Sequence, residues 1–372
     1  TDLQFGKLKV SAIASQQESE SKTISTKGGA QTTEFEITAD DYDENRHFFL
    51  SNFFYENYDE WMKKAPNISS NVVVSKVEVW VKTSSVSSYE KQYRKVIAFT
   101  DLGDTVDYKK NPNNNDNDLY KTLVSPGNAE IRKSHNTESL LSNLDLENGQ
   151  DFEFMNNARL LSSSEYTLNP NLGYISLKST LQADDVLAVA YEYTYKSKTY
   201  KVGEFSTDKV SSDTTSGGAL FVKLLKSTSS SPEDLRLWNL MMKNVYSLGA
   251  YNVQPEKFKL NILYNYQNDS ISTYMPYIPE GNIKNTILLR VLDLDRLNPR
   301  LRAMPDGNFD YIEGYTVISS NGRIIFPTVE PFGKTLRSKI TDKAIADKFA
   351  FDELYELTKT EAKEVMRLPC AL

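Results

Sequence analysis

Apolar and polar residues alternate in several runs along the chain, and this period of two is typical of β-strands. The first such run is LQFGKLKVSAIASQQ, in which Leu8 and Val10 share one face. Gly28 and Gly29 then separate two Thr-rich polar runs, as the turn of a hairpin does. We therefore predict an amphipathic, barrel-type strand and a β-ribbon over residues 1–40.

A helical spacing of aromatic residues replaces the alternation in HFFLSNFFYENYDEWMKKAP, a stretch that stops at a proline. We predict an aromatic-faced helix within residues 41–70. Its aromatic stripe either packs on its own domain or forms a face for another protein. The candidate partner face consists of Phe49, Phe53, Phe54, Tyr58 and Trp61.

Strand patterns dominate the remainder. The first series is NVVVSKVEVWVK, YRKVIAFTDLGD, FEFMNNA, EYTLN, GYISLKS and VLAVAYEYTYKSKTYKVGEF, and the second is KLNILYNYQ, TILLRVLDLD, GYTVIS and GRIIFPTV. Between the two series, SPEDLRLWNLMMKNVYSLG predicts a helix capped by Ser231, with Leu235 on its buried stripe. DKFAFDELYELTKTEAKEV predicts a final helix.

The chain also repeats itself. YTLNPNLGYISL begins at Tyr166 and YTVISSNGRIIF begins at Tyr315, an offset of 149 residues, and each contains a glycine seven positions after its tyrosine. Upstream, GQDFEFMN resembles GNFDYIEG, so FEF and FDY are both expected to be edge strands that lead into a closing hairpin. A duplication of β-sandwich-like units is the simplest architecture that explains this repeat.

The predicted fold class is therefore mainly β with a few helices (α+β). Two related β-sandwich-like modules follow the barrel-type ribbon and the aromatic helix. The predicted segments are residues 1–40 (strand and ribbon), 41–70 (aromatic helix), 71–210 (first β-module), 211–257 (linker and helix), 258–340 (second β-module) and 341–372 (C-terminal helix).

Composition excludes several functions. The 43 basic and 50 acidic side chains give a net charge of −7 without a basic stripe, so we expect no nucleic-acid partner. The single Cys370 provides no disulfide or cysteine cluster. The two histidines, His47 and His135, are far apart and are expected to be surface or interface side chains. No initiator methionine or signal segment is visible, and we expect the chain to be a fragment of a longer protein.

The stretch PDGNFDYIEGYTV is a candidate calcium site. Asp306, Asn308 and Asp310 match positions 1, 3 and 5 of a calcium loop. Position 6 is Tyr311 rather than glycine and position 12 is Val317 rather than glutamate, so an EF-hand is not encoded. The alternatives are another oxygen cage and a simple turn that enters a strand.

Enzyme motifs are missing from the sequence. It contains no GxSxG elbow, no phosphate-binding glycine loop and no cysteine with a suitable histidine partner. Paired carboxylates are too common among 50 acidic residues to indicate a glycosidase. We predict that the chain has no catalytic residues and no cofactor.

Several long strings together resemble one family. They include LQFGKLKVSAIASQQ, ADDYDENRHFFLSNFF, RKVIAFTDLGD, NPNNNDNDLY, EYTLNPNLGYISL, LMMKNVYSLGAY, PDGNFDYIEGYTV and SSNGRIIFPTVEPFG. These strings are similar to the SprA/Sov family, the translocon of gliding motility and type IX secretion. The similarity spans nearly the whole chain but only a small part of that family's very long protein.

The resemblance implies an outer-membrane β-barrel that conducts folded proteins outward and carries large soluble insertions. This chain would be one such non-catalytic insertion, at the bacterial outer membrane or cell surface, and would shape or cap the pore. The implied partners are a smaller outer-membrane barrel protein, a periplasmic plug and secreted cargo with a C-terminal sorting domain. The alternative is a surface-exposed β-sandwich module that binds glycan or another envelope protein, with or without calcium.

Overall fold

The computed structural model describes residues 8–15, 32–82, 93–133, 137–208, 218–266, 270–275 and 283–367. The strands are β1 (Leu8–Ser15), β2 (Thr32–Thr38), β3 (His47–Phe49), β4 (Val72–Lys82), β5 (Tyr93–Phe99), β6 (Phe152–Leu160), β7 (Tyr166–Asn169), β8 (Tyr174–Leu177), β9 (Val186–Tyr195), β10 (Lys198–Val202), β11 (Leu220–Lys226), β12 (Val245–Ser247), β13 (Lys259–Tyr266), β14 (Ser270–Ser272), β15 (Val317–Ile318) and β16 (Arg323–Ile325).

The helices are short. They are α1 (Asn52–Trp61), α2 (Asp118–Leu123), α3 (Thr137–Ser142), α4 (Leu235–Trp238), α5 (Leu288–Val291), α6 (Leu336–Lys339), α7 (Lys343–Phe349), α8 (Glu353–Glu356) and α9 (Lys359–Arg367). Contacts divide the chain into two compact units. Unit 1 contains Thr1–Asp43, Met62–Asn67 and Lys243–Leu372, and unit 2 contains Glu44–Trp61 and Ile68–Met242.

Unit 2 is built on a closed five-stranded barrel. Its strands follow the order β9, β11, β5, β6 and β4, and β4 pairs again with β9 to complete the ring. All of these pairs are antiparallel except β5 with β11, which run parallel. Strand β10 extends β9 as a hairpin outside the ring. Closure leaves none of these five strands with an unpaired edge along its whole length.

Apolar side chains from the barrel strands and the helices beside them form a core of unit 2. Every residue of β11 is buried, and β9 is buried at seven of its ten positions. One buried cluster joins strand residues to the short helices after β5, and it consists of Ile97, Phe99, Leu102, Leu123, Ile131, Leu141, Phe152, Ala219 and Phe221. Because β9 and β11 are buried along nearly their whole length, their sequences are largely continuous apolar runs and do not alternate strictly between apolar and polar residues.

Unit 1 contains a four-stranded sheet in the order β14, β13, β1 and β2. Strand β1 is antiparallel to both β2 and β13, with Val10 opposite Ile37 and Ile262. The N-terminal strand and the Thr-rich run after Gly29 are both strands, and they pair with each other. The predicted Gly28-Gly29 turn lies outside the described residues.

The repeat takes the form of a three-stranded sheet that occurs once in each unit. The sheet contains β3, β8 and β7 in unit 2, and β12, β16 and β15 in unit 1. At the turn end, the Leu50 N–H donates to the Gly173 carbonyl at 2.9 Å, and the Leu248 N–H donates to the Gly322 carbonyl at 2.8 Å. Both glycines are left-handed, with φ of 63° and 58°.

The opposite end of each sheet matches as well. The Leu177 N–H donates to the Arg46 carbonyl at 2.9 Å, and the Phe326 N–H donates to the Asn244 carbonyl at 2.9 Å. The pairing of β12 with β16 in unit 1 therefore has the same register as the pairing of β3 with β8 in unit 2. The duplicated hairpin predicted from the sequence is confirmed, and each copy includes an incoming strand that the prediction did not contain.

The predicted fold class, mainly β with a few helices, is confirmed, but the form of the modules differs from the prediction. The first module, together with β11 from the predicted linker, closes into a barrel instead of a two-sheet sandwich. Closure occurs because β4 pairs with both β6 and β9, and because β11 joins β5 to β9. In the second module FDY is not a strand. The carboxylate of Asp310 instead accepts backbone N–H groups of a neighbouring loop, and this bonding holds the chain in an irregular path.

Three predicted elements are wrong in extent or type. TILLRVLDLD contains α5, a single helical turn, rather than a strand; a continuous apolar run does not distinguish the two. The helix predicted from Ser231 is reduced to α4, which Asp234 caps, and Leu235 is 56% exposed rather than buried. The C-terminal helix is three helices, α7, α8 and α9.

Candidate functional site

Two of the three candidate calcium ligands, Asp306 and Asp310, direct carboxylate oxygens to backbone N–H groups. Asp306 accepts the Asn308 N–H at 2.9 Å, as expected for a turn. Asp310 accepts the N–H groups of Arg296 at 2.6 Å and Leu297 at 3.2 Å. Burial raises the pKa of the Asp310 carboxyl, and these two hydrogen bonds only partly oppose the shift. The Asp310 carboxylate therefore anchors the backbone of the neighbouring loop at Arg296 and Leu297.

Asp295, a further carboxylate close to this stretch, is completely buried, and its oxygens also have hydrogen-bond donors. Its carboxylate pairs with the Arg290 guanidinium at 2.8 Å and accepts the N–H groups of Asp306 at 2.9 Å and Gly307 at 3.2 Å. Within the residues that the structure describes, no group of three or more His, Cys, Asp or Glu side chains is arranged to hold a metal ion. The acidic residues around PDGNFDYIEGYTV hold the loop together.

These carboxylates support one exposed segment, residues 298–307, which we call the 298–307 loop. Asp295 binds the end of the loop, and Asn298 closes its beginning by accepting the N–H groups of Arg300 at 2.9 Å and Arg302 at 3.2 Å. Every residue from Pro299 to Asn308 is exposed. The backbone is thus fixed from within while the side chains point to solvent.

The candidate partner face, which comprises Phe49 of β3 and four residues of α1, is part of the core of unit 2. The side chains of Phe49, Phe53, Phe54, Tyr58 and Trp61 are all at most 5% exposed. They pack on aromatic residues of β8 and β9: the ring centroids of Phe49 and Tyr174 are 6.3 Å apart, those of Phe54 and Tyr193 5.3 Å, and those of Phe53 and Tyr195 5.3 Å. Edge-to-face packing of this kind is typical of protein interiors. The stripe therefore packs on its own domain.

The expected surface position of the histidines is wrong for His47. It lies in β3, is 1% exposed, and its Nδ1 is 2.7 Å from the Ser176 hydroxyl of β8. The Ser176 hydroxyl gives this ring nitrogen of the buried imidazole a hydrogen-bond partner. His135 lies outside the described residues.

Sequence reasoning missed a buried ion pair in unit 2. Lys223, from the middle of β11, contacts the Asp104 carboxylate, and neither side chain is more than 3% exposed. Lys223 also donates to the Thr100 carbonyl, and Asn113 donates to Asp104. A lysine within an otherwise apolar buried strand, ALFVKLL, was the available signal, because such a lysine requires a partner.

Two further ionic clusters fix the helices beside the barrel. Arg132 forms a forked pair with Glu204, at 2.7 and 2.5 Å, and its guanidinium lies 3.6 Å from the centre of the Phe221 ring. Arg236 pairs with three carboxylates, those of Asp101, Asp151 and Asp234, at distances of 2.7 to 2.9 Å. Both arginines are engaged by neighbouring side chains of unit 2, which gives them structural roles.

Comparison with known protein families identifies the chain. Residues 1–209 match the family model of the SprA N-terminal region, described as motility related/secretion protein. The chain belongs to this family. The matched residues include β1, β2 and four of the five barrel strands. This family is one of motility and secretion rather than a class of enzyme.

No curated protein matches the chain. Among the residues that the structure describes, none of the helices has the length and apolar character needed to cross a membrane. Membership of the motility-related/secretion family agrees with a location in a membrane or cell envelope.

Proposed function

We propose that this chain is a non-catalytic segment of an outer-membrane protein-conducting translocon of type IX secretion and gliding motility. It serves as a soluble insertion that shapes or caps the pore and contacts partners. The observation that carries the proposal is the match of residues 1–209 to the motility-related/secretion family. The long strings that resemble the SprA/Sov translocon extend the same likeness past residue 209, for example in SSNGRIIFPTVEPFG.

The packing of the chain supports a scaffold role. Several charged side chains with little exposure bind one another or the backbone: Lys223 with Asp104, Arg132 with Glu204, and Asp295 with two N–H groups and an arginine. Charged side chains whose partners lie within the fold stabilise a fixed structure, and they are not free to act as acids, bases or nucleophiles. A passage for folded proteins requires a fixed shape, a seal and faces for partners.

The proposed partners are a smaller outer-membrane barrel protein, a periplasmic plug and secreted cargo, at the bacterial outer membrane or cell surface. Site-specific photocrosslinking in the native cell tests this. A photoreactive phenylalanine analogue replaces one exposed side chain at a time: Val124 and Leu235 of unit 2, and Tyr251 of unit 1, which are 43%, 56% and 64% exposed.

We expect crosslinks to cargo or to a secretion component from at least one of these positions, with cargo crosslinks lost when the cargo is not expressed. If none of the positions yields such a crosslink although the parent protein reaches its normal level, the proposed role is wrong. A crosslink to a surface glycan carrier alone would favour the binding-module alternative.

A further inference from the structure

The 298–307 loop exposes two large apolar side chains beside two arginines. Leu301 is 55% exposed and Met304 is 62% exposed. Arg300 and Arg302 are exposed on either side of Leu301, and neither guanidinium has a side-chain or carbonyl partner among the residues that the structure describes. Single exposed apolar residues are ordinary, but two on one ordered loop with unpaired arginines form a surface feature.

The backbone of the 298–307 loop is held by hydrogen bonds that do not involve the side chains at its tip. The Asn298 side chain and the buried Asp295 accept four of its backbone N–H groups, and the Leu301 N–H donates to the Asn298 carbonyl at 2.8 Å. The backbone is therefore satisfied without help from the side chains of the loop tip. Those side chains contribute little to the folding of unit 1 and remain available for another molecule.

Leu301 also adopts a conformation that leucine avoids. Its φ is 55°, a left-handed value that is strained for an L-residue with a Cβ and that glycine or asparagine adopts more easily. A bulky residue held in such a conformation at an exposed site points to a use for its side chain. Leu301 lies between Arg300 and Arg302, in a turn that the Asn298 side chain holds by accepting the N–H groups of both arginines.

We propose that the 298–307 loop is a docking site for an acidic segment of a partner protein. Carboxylates of that segment pair with Arg300 and Arg302, while an apolar side chain of the segment contacts Leu301 and Met304. The inference goes beyond the proposed function and does not depend on it.

Charge and composition select this kind of partner. The 298–307 loop carries two arginines and a single acid, Asp306, whose carboxylate accepts the Asn308 N–H; the net charge of the chain is −7. Arginine matches a carboxylate with a forked pair of hydrogen bonds, and arginine and methionine are enriched in protein interfaces where lysine and glutamate are depleted. Anionic membranes instead attract clusters of four to eight basic residues, which the loop does not provide.

Selection from a random library of displayed 12-residue peptides tests the proposal with the purified 372-residue chain. Peptides are selected on the wild-type chain and counter-selected on Arg300→Ala/Arg302→Ala. We expect the survivors to be enriched in Asp and Glu next to Leu, Ile or Phe. If no peptides survive, or the survivors show no acidic enrichment, the proposal is overturned.

Fluorescence anisotropy then measures one selected peptide against matched variants. We expect Arg300→Ala/Arg302→Ala to weaken binding at least tenfold and Leu301→Asn/Met304→Ser to weaken it at least fivefold. Asparagine replaces Leu301 because it tolerates the left-handed backbone, so this variant removes the apolar side chain and keeps the loop conformation. The control Lys284→Ala/Lys343→Ala removes two exposed charges of unit 1 elsewhere and leaves affinity unchanged. Equal losses in the control and loop variants would show nonspecific charge attraction and overturn the proposal.

Two other occupants are distinguished in the same material. Sedimentation with vesicles containing 30% phosphatidylglycerol tests a lipid surface, and analytical ultracentrifugation tests a second copy of the chain. Loop-dependent vesicle binding or self-association without peptide binding would assign the loop to that occupant and overturn the acidic-partner proposal. With the proposal correct, wild-type and loop variants behave alike in both measurements.

Discussion

At the scale of single residues, glycines mark the repeated hairpins. Gly173 and Gly322 combine a left-handed backbone with a lack of space: a Cβ on Gly173 would overlap the Phe54 ring, and one on Gly322 would overlap the Ala250 carbonyl oxygen. The sequence showed the seven-residue spacing from tyrosine to glycine. It could not show why glycine is required at these positions, because the neighbouring Phe54 ring and Ala250 carbonyl come close to them only in the folded chain.

Replacement of either glycine by alanine should therefore destabilise its unit. We expect Gly173→Ala and Gly322→Ala each to lower the free energy of unfolding by at least about 2 kcal/mol, since the strained backbone and the steric overlap add. Chemical denaturation measures the change. Gly307→Ala, with φ of 88° but open space, should cost only about 1 kcal/mol, and Gly127→Ala almost nothing. Equal costs at Gly173 and Gly307 would refute the steric explanation.

The buried pair Lys223 and Asp104 should behave as a coupled unit. Lys223→Met or Asp104→Asn alone leaves one buried polar group without its partner, and we expect each to cost about 3–5 kcal/mol. The double variant should cost less than the sum of the two, because neither charge remains. Additive losses in urea denaturation would contradict the pairing. The half-exposed pair Lys201 and Asp208 is the control, and its single variants should cost less than about 1 kcal/mol.

Calcium should leave the chain unchanged. The oxygens of Asp306 and Asp310 already accept backbone N–H groups, so we expect the melting temperature to shift by less than about 1 °C between excess calcium and excess chelator. Differential scanning calorimetry measures both conditions. A calcium-dependent rise that Asp310→Asn abolishes would restore the calcium hypothesis.

At the scale of elements, strands were predictable and helix boundaries were less so. Alternation and β-branched residues identified most of the longer strands. The break between α8 and α9 had a readable signal that the prediction overlooked: Thr358 and Glu361 form a reciprocal capping box, with Thr358 N–H and hydroxyl donating to Glu361 at 3.0 and 2.6 Å. The local sequence contains no signal for α5. It also contains no signal that the helix predicted from Ser231 ends after α4, where Val245–Ser247 forms a strand that pairs with β16.

Helix α9 is tied to the segment after β2 by ion pairs that depend on pH. Burial raises the pKa of Asp41, but hydrogen bonds from Thr38 and Lys363 and the charges of Lys363 and Lys359 outweigh it and hold the pKa below its ordinary value. Because the folded pKa is lower than the unfolded value of about 3.9, the stabilisation is complete above that value. It disappears as the pH falls through the folded pKa.

The stability difference between wild type and Asp41→Asn should therefore be constant from pH 7 to pH 5 and should shrink as the pH falls below about 4. Urea denaturation at each pH measures it. Glu364→Gln, an exposed substitution on the same helix, should show no such trend. A difference that grows towards low pH would contradict the sign of this shift.

At the scale of the whole molecule, the fold class and the family likeness could be predicted from the sequence, whereas the closed barrel could not. Barrel closure depends on β4 meeting β9 and on β5 meeting β11, pairings between residues more than 100 positions apart. Apolar patterns do not specify such partners. In the structure, Asp306 and Asp310 of the candidate calcium site accept backbone N–H groups, and the aromatic residues of the candidate partner face are buried in the core of unit 2.

The central claim is that this segment is required for secretion and acts without catalysis. The most direct measurement compares cargo in the medium, per parent protein in the outer membrane, between cells with the native gene and cells in which residues 1–372 are replaced by a Gly/Ser linker. Cells with the Lys284→Ala/Lys343→Ala gene serve as the control. We predict at least a tenfold fall in secreted cargo and loss of surface movement in the linker strain alone. Unchanged secretion and movement in that strain would contradict the account.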